Sequence, residues 1–122
     1  MAHMKGDGSS LINATYFGSD DYDQAYFIEL DKAGQVYTFG QTLAQDNDMN
    51  FNAAWYQPNS AQFVSKLTPH LSSLEFSTVF GSGTGQIVIS PTAFLVDACN
   101  RVYCSGWGGR TNGFAIGGPG GH

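Results

Sequence analysis

Charge is what this sequence most lacks. Asp, Glu, Lys and Arg make up only 12% of its 122 residues, about half the share in an average soluble domain. Five are Lys or Arg and ten are Asp or Glu, for a formal charge of −5. So few cations cannot form a basic stripe, and nucleic acid is excluded as a partner. The chain also has no run of ~18 apolar residues, which a membrane-spanning helix requires, so no membrane insertion is expected. Apolar residues nowhere recur at helical spacing over ten positions. Cys99 and Cys104 are the only cysteines. They show no C-x-x-C spacing, and one falls in a predicted turn while the other lies beyond it. Both are read as free thiols.

Aromatic residues (14%) and glycine (16 residues) are abundant instead, and the apolar pattern has period two. Seven short strands follow from it: 11–18, 25–30, 35–42, 62–67, 74–80, 93–96 and 101–105. Asp31-Lys32-Ala33-Gly34 and Asp97-Ala98-Cys99-Asn100 read as hairpin turns, since Asp caps a turn while Gly and Asn tolerate positive φ. The fold class is all-β. Residues 43–60 break the pattern and read as an ordered excursion, with Trp55 and Tyr56 packing back onto the body. Met1-Ala2-His3-Met4 resembles a vector-derived leader. Residues 1–10 are therefore set apart from the fold as tag and leader, and the Gly-rich segment 110–122 as a flexible tail.

The chain repeats itself. Tyr16-Phe17-Gly18-Ser19 returns as Val79-Phe80-Gly81-Ser82, an offset of 63. Leu30-Asp31-x-x-Gly34-x-Val36-Tyr37-x-x-Gly40 returns as Val96-Asp97-x-x-Asn100-x-Val102-Tyr103-x-x-Gly106, an offset of 66. About three residues are thus inserted in the second copy, within 85–90. The reading is of two β repeats, 11–61 and 62–109.

These blocks resemble the SBBP-type β-propeller repeat, over roughly residues 11 to 109. The closest versions occur in large modular cell-surface proteins of Bacteroidetes type, some associated with gliding motility. The resemblance implies about two four-stranded antiparallel blades on a secreted or surface-exposed protein. The excursion 43–60 and the Cys99-Asn100 turn depart from the usual repeat. Two blades leave apolar faces uncovered. They belong to a longer propeller, or copies associate, or the units fold together as a small two-sheet β-sandwich.

Candidate chemistry is sparse. Asp46, Asp48 and Asn50 have the one-three-five spacing of a calcium loop, but Phe51 stands where an EF-hand has Gly and Gln57 where it has Glu. Asp20, Asp21 and Asp23 form a second acidic cluster, and calcium is the only cofactor either group suggests. Neither cluster shows paired acids facing a predictable cleft. His70 follows Pro69 in a turn, and no His-Asp-Ser or Cys-His set can be assembled. Asn13-Ala14-Thr15 matches the glycosylation acceptor pattern on a predicted strand. Trp55, Tyr56 and Trp107 fall in predicted loops, where aromatics stack on sugars or fill a partner's pockets. Trp107 is the first candidate for binding, and its alternative role is to plug a seam between blades. The reading is a non-enzymatic structural or interaction module with a protein or glycan partner. A calcium-assisted carbohydrate-binding or adhesive module and an accessory domain of a secreted hydrolase are the alternatives.

Overall fold

A computed structural model of the chain describes residues 1–44 and 48–108. Its eight strands are β1 (Ala2–Met4), β2 (Leu11–Ala14), β3 (Asp23–Leu30), β4 (Val36–Thr42), β5 (Gln62–Leu67), β6 (Leu74–Phe80), β7 (Ile89–Val96) and β8 (Val102–Gly108). The only helical element among the described residues is a single 3-10 turn at Pro69–Leu71. The chain is all-β, as its period-two pattern predicts. Among the described residues all pairing is antiparallel, in three sheets: β1–β2, the meander β3–β4–β5–β6, and β7–β8.

The central sheet is covered on both faces, which is why every residue of β4 is buried. One face carries Tyr37, Phe39 and Val64, and the β7–β8 hairpin docks on it through Phe94, Val96 and Val102. Phe39 anchors this layer, its ring 5.7 Å from Phe94 and 5.9 Å from Phe80. On the opposite face Met1 and Leu71 cover Val36 and Leu67, while Phe17, Met49 and Tyr56 cover Phe63 and Val79. The two small sheets therefore lie on opposite faces of the large one. Burial of these side chains is the main favourable term, at roughly 1.5–3 kcal/mol for each large apolar group fully removed from water.

Within the excursion, residues 51–57 guard an edge. Phe51 exchanges two backbone hydrogen bonds of 2.8 Å with Ser77, and the Gln57 amide donates to the Val79 carbonyl. The backbone row that β6 would expose is thereby partly occupied, which blunts edge-to-edge aggregation.

The repeat is a repeat of registers. Ile28 faces Thr38 and Leu30 faces Val36; 66 positions on, Phe94 faces Cys104 and Val96 faces Val102. Even the irregularity recurs, between Ala25 and Phe27 in one hairpin and between Pro91 and Ala93 in the other. Glycine is demanded at the matching points Gly40 and Gly106. A Cβ on Gly40 would lie 2.1 Å from the Gln24 carbonyl oxygen, and one on Gly106 would lie 2.3 Å from Cγ2 of Ile89.

A second duplication runs at the offset of 63 and reaches further than the sequence blocks. Ala2 faces Ala14 and Met4 faces Leu11, with a shift after His3. Ser65 faces Ser77 and Leu67 faces Leu74, with a shift after Lys66. The intervening turns match as well. Lys5 donates to Ser10 as Thr68 donates to Ser73, and the φ of +73° at Gly8 recurs as +58° at Leu71. The three inserted residues lie between Ser82 and Ile89, where Gly83 and Gly85 donate to Ser60 and Asn59.

The sheets divide the chain differently from the sequence blocks. Residues 23–80 form one complete four-stranded unit that spans position 61, and the second four-stranded unit expected from the sequence is a two-stranded hairpin among the described residues. Residues 2–4, set apart as a leader, instead form β1, paired with β2 in the register that β5 makes with β6.

Candidate functional site

The acidic clusters do not converge on an ion. Among the described residues no group of three His, Cys, Asp or Glu side chains is placed to hold a metal. Asp23 is engaged within the protein. Its Oδ1 accepts from Thr42 Oγ1 at 2.6 Å, and its Oδ2 accepts from the Ser19 hydroxyl at 2.8 Å and the Ser19 amide. That carboxylate staples the entry to β3 onto the end of β4. Asp20, Asp21 and Asp48 are exposed, Asn50 is half-buried, and Asp46 lies outside the described residues.

The three aromatic candidates do not share one site. Tyr56 packs into the Met49–Phe63–Val79 cluster. Trp55 is half exposed, and its carbonyl accepts from Thr78 Oγ1. Trp107 lies on strand β8 opposite Ser90, not in a loop, because β8 continues three residues beyond its predicted end.

Trp107 belongs to a face. On the outward side of the β7–β8 hairpin, Trp107 is 72% exposed, with Leu95 at 55% and Tyr103 at 51%. Their counterparts in the first hairpin, 66 residues earlier, are Gln41, Glu29 and Tyr37. Tyr37 is buried at the sheet–sheet contact, and Gln41 is buried there with its Nε2 donating to the Ile89 carbonyl at 2.7 Å. The positions of Tyr37 and Gln41, covered in the first copy, are thus open in the second as Tyr103 and Trp107.

The opposite end of the stack mirrors this. Ile28 and Leu30 are 53% and 59% exposed, while Phe94 and Val96 at the same positions in the second hairpin are packed against the central sheet. They floor a groove of about 290 Å³ whose walls include Ala2, His3, Pro69 and His70. Sequence reasoning missed Ile28, Leu30, Leu95 and Tyr103, since on alternating strands they look like ordinary core. The offset of 66 was the available signal, because it assigns each residue a partner of known role.

One charged cluster borders the covered face. Lys66 pairs with Glu75 at 3.1 Å and sits 5.4 Å from the centre of the Tyr37 ring, whose hydroxyl donates to Asp31 at 3.1 Å. Burial raises the Tyr37 pKa, helped by Asp31 and opposed by Lys66. For Lys66 burial acts to lower the pKa, but the bonds to Glu75 and Tyr37 outweigh it and raise it. The set is arranged as a structural ion pair over an aromatic ring. Cys99 and Cys104 are unpaired, and neighbouring protein desolvates the Cys104 thiol, raising its pKa. Searches of family models, curated proteins and solved structures return no match to this chain.

Proposed function

We propose that the chain is a non-enzymatic structural and interaction module, a segment of a β-propeller whose blades are four-stranded, carried by a secreted or surface-exposed protein. One observation carries this reading: the strand registers, their irregularities and their turns recur at fixed offsets, in sheets stacked face to face. One unit, β3–β6, is whole. On one side stands the equivalent of its last two strands and on the other the equivalent of its first two. Consecutive four-stranded units of a propeller have this succession of strands.

The same offset weighs the role of Trp107. It occupies a position that is covered in the first copy, so it is a seam residue, and the partner it suits is another β sheet of protein before a sugar. The test is a tandem chain, two copies of residues 1–122 joined end to end. Stacked blades cover each other's open faces, so the tandem should melt roughly 5 °C or more above the single chain in one transition. An unchanged melting temperature would show that the units do not stack, and the reading would fail.

A further inference from the structure

The two incomplete sheets are complementary halves of one unit. In the central sheet the order is β3–β4–β5–β6. The β7–β8 hairpin reproduces the register of β3–β4, and β1–β2 reproduces that of β5–β6. Among the described residues, β8 has no partner on its outer edge and neither has β1. These are the two edges that β4 and β5 join in the complete unit. They cannot meet within one chain, because the hairpins lie on opposite faces of the central sheet.

We infer that copies of this chain associate head to tail, the β7–β8 hairpin of one copy entering the groove between β1 and β3 of the next and pairing β8 with β1. The inference rests on the blade reading above and names what covers its open faces. Three observations favour a second copy as the occupant. The groove is floored by Ile28 and Leu30 and walled by Ala2 and His3, which is the space that strands one and two of a preceding unit would fill. The face that would meet this floor carries Leu95, Tyr103 and Trp107, and its counterpart in the first hairpin already packs on Phe94 and Val96 within the chain. The contact is therefore a second use of an interface the protein already makes. Finally, the segment that carries β1 is already docked beside the groove, Met1 against the Val36–Leu67–Leu71 cluster and His3 stacked on His70 of the 3-10 turn with ring centres 6.2 Å apart.

The registers of β4 on β5 fix those of β8 on β1. Val36 faces Leu67, Tyr37 faces Lys66 and Thr38 faces Ser65. Transferred by the two offsets, Val102 faces Met4, Tyr103 faces His3 and Cys104 faces Ala2 of the next copy. A contact in which different patches meet is heterologous, and it closes into a ring where the rotation permits. Each copy brings eight strands among its described residues, so a closed ring of about two to four copies matches the blade numbers of propellers.

The test uses that register. Ala2 is exposed, so Ala2→Cys in a Cys99→Ser background leaves the fold intact and places one thiol opposite Cys104 of the neighbouring copy. Directly opposed residues on antiparallel strands are spaced within the range a disulfide spans. Oxidation at alkaline pH, which offsets the raised Cys104 pKa, should give covalent oligomers whose only bond, mapped by mass spectrometry, joins positions 2 and 104 of different copies. The unmodified chain should exceed 13.1 kDa by light scattering, with mass rising over about a hundredfold range of concentration. Ile28→Lys should abolish that rise. A chain that stays monomeric throughout, a 2–104 bond within one copy, or bonds joining 2 to 2 or 104 to 104 would overturn the inference. None of those results depends on whether a covalent tandem is stabilised.

Discussion

Asp97 accepts the hydrogen bonds that Asp31 accepts 66 residues earlier. Asp31 Oδ1 takes the amides of Ala33 and Gln35, and Oδ2 takes the Tyr37 hydroxyl. Asp97 Oδ1 takes the amides of Cys99 and Arg101, and Oδ2 takes the Tyr103 hydroxyl and the Arg101 guanidinium. Gly34 and Asn100 both take a positive φ, +81° and +62°, and donate to the carbonyls of Asp31 and Asp97 respectively. One carboxylate thus closes each hairpin and ties it to the second strand.

Replacing that carboxylate separates the two turns by burial. Asp31→Ala leaves three donors without their acceptor beside a buried Tyr37, and should cost about 1–3 kcal/mol. Asp97→Ala strips the same bonds from an exposed turn where water replaces them, so its cost should be the smaller of the two. Urea denaturation of both variants reads the difference. Equal losses would mean that the covered hairpin gains nothing from its position in the stack.

Asp23 is a staple, and that has a consequence for calcium. Both of its oxygens are engaged by Ser19 and Thr42, and a cation would have to compete with three donors already in place. Asp23→Ala should lower stability by about 1–2 kcal/mol through those lost bonds. Calcium should leave the melting temperature of the parent chain where chelator leaves it. A calcium-dependent rise that Asp23→Ala abolishes would reinstate the acidic cluster as a ligand set.

How much of this could be read from residues alone depends on which interaction sets each feature. Local chemistry was legible: Asp31, Gly34 and the apolar alternation of Val36 and Phe39 specify a hairpin without help from the rest of the chain. Strand ends set by distant partners were not. Ile89 joins β7 four residues before the predicted start because Gly108 pairs with it, and no local signal announces that. The period-two pattern also could not say which face of β3 is open. Phe27 and Ile28 are equally apolar, and only the stacking of β7–β8 covers one and leaves the other exposed. Asp20, Asp21 and Asp23 look alike in sequence, and the engagement of Asp23 depends on Thr42, which lies across the sheet.

High pH should weaken the fold through Tyr37 and Lys66. Both hold their proton more tightly in the folded chain than in the unfolded one, Tyr37 because burial disfavours its phenolate and Lys66 because Glu75 and Tyr37 outweigh its burial. Each therefore adds stability that is whole below its unfolded pKa, near 10 to about 10.5, and lost as pH rises through the higher folded value. The urea midpoint should hold steady up to about pH 9 and fall above about pH 10. Tyr37→Phe keeps the ring under Lys66 and removes one of the two groups, so its alkaline decline should be shallower. An identical decline would place the titration elsewhere.

The core also contains a removable fault at Gln62. The residue is 0% exposed, yet among the described residues neither Nε2 nor Oε1 has a hydrogen-bond partner. Its neighbour across the sheet, Gln41, is satisfied at both ends by Tyr26 and the Ile89 carbonyl. Gln62 is wedged against Gly81, where a Cβ would lie 2.5 Å from its Oε1. An unpaired buried amide costs roughly 1–3 kcal/mol, and an apolar side chain of the same length removes that cost without opening a cavity. Gln62→Met should therefore raise stability by about 1–2 kcal/mol and the melting temperature by roughly 3–8 °C. Gln62→Ala separates the two contributions, since it also removes the amide but leaves a void, and should stabilise less or destabilise. If Gln62→Met lowers the melting temperature instead, the amide is paired in the folded chain, and the fault assigned to this site is absent.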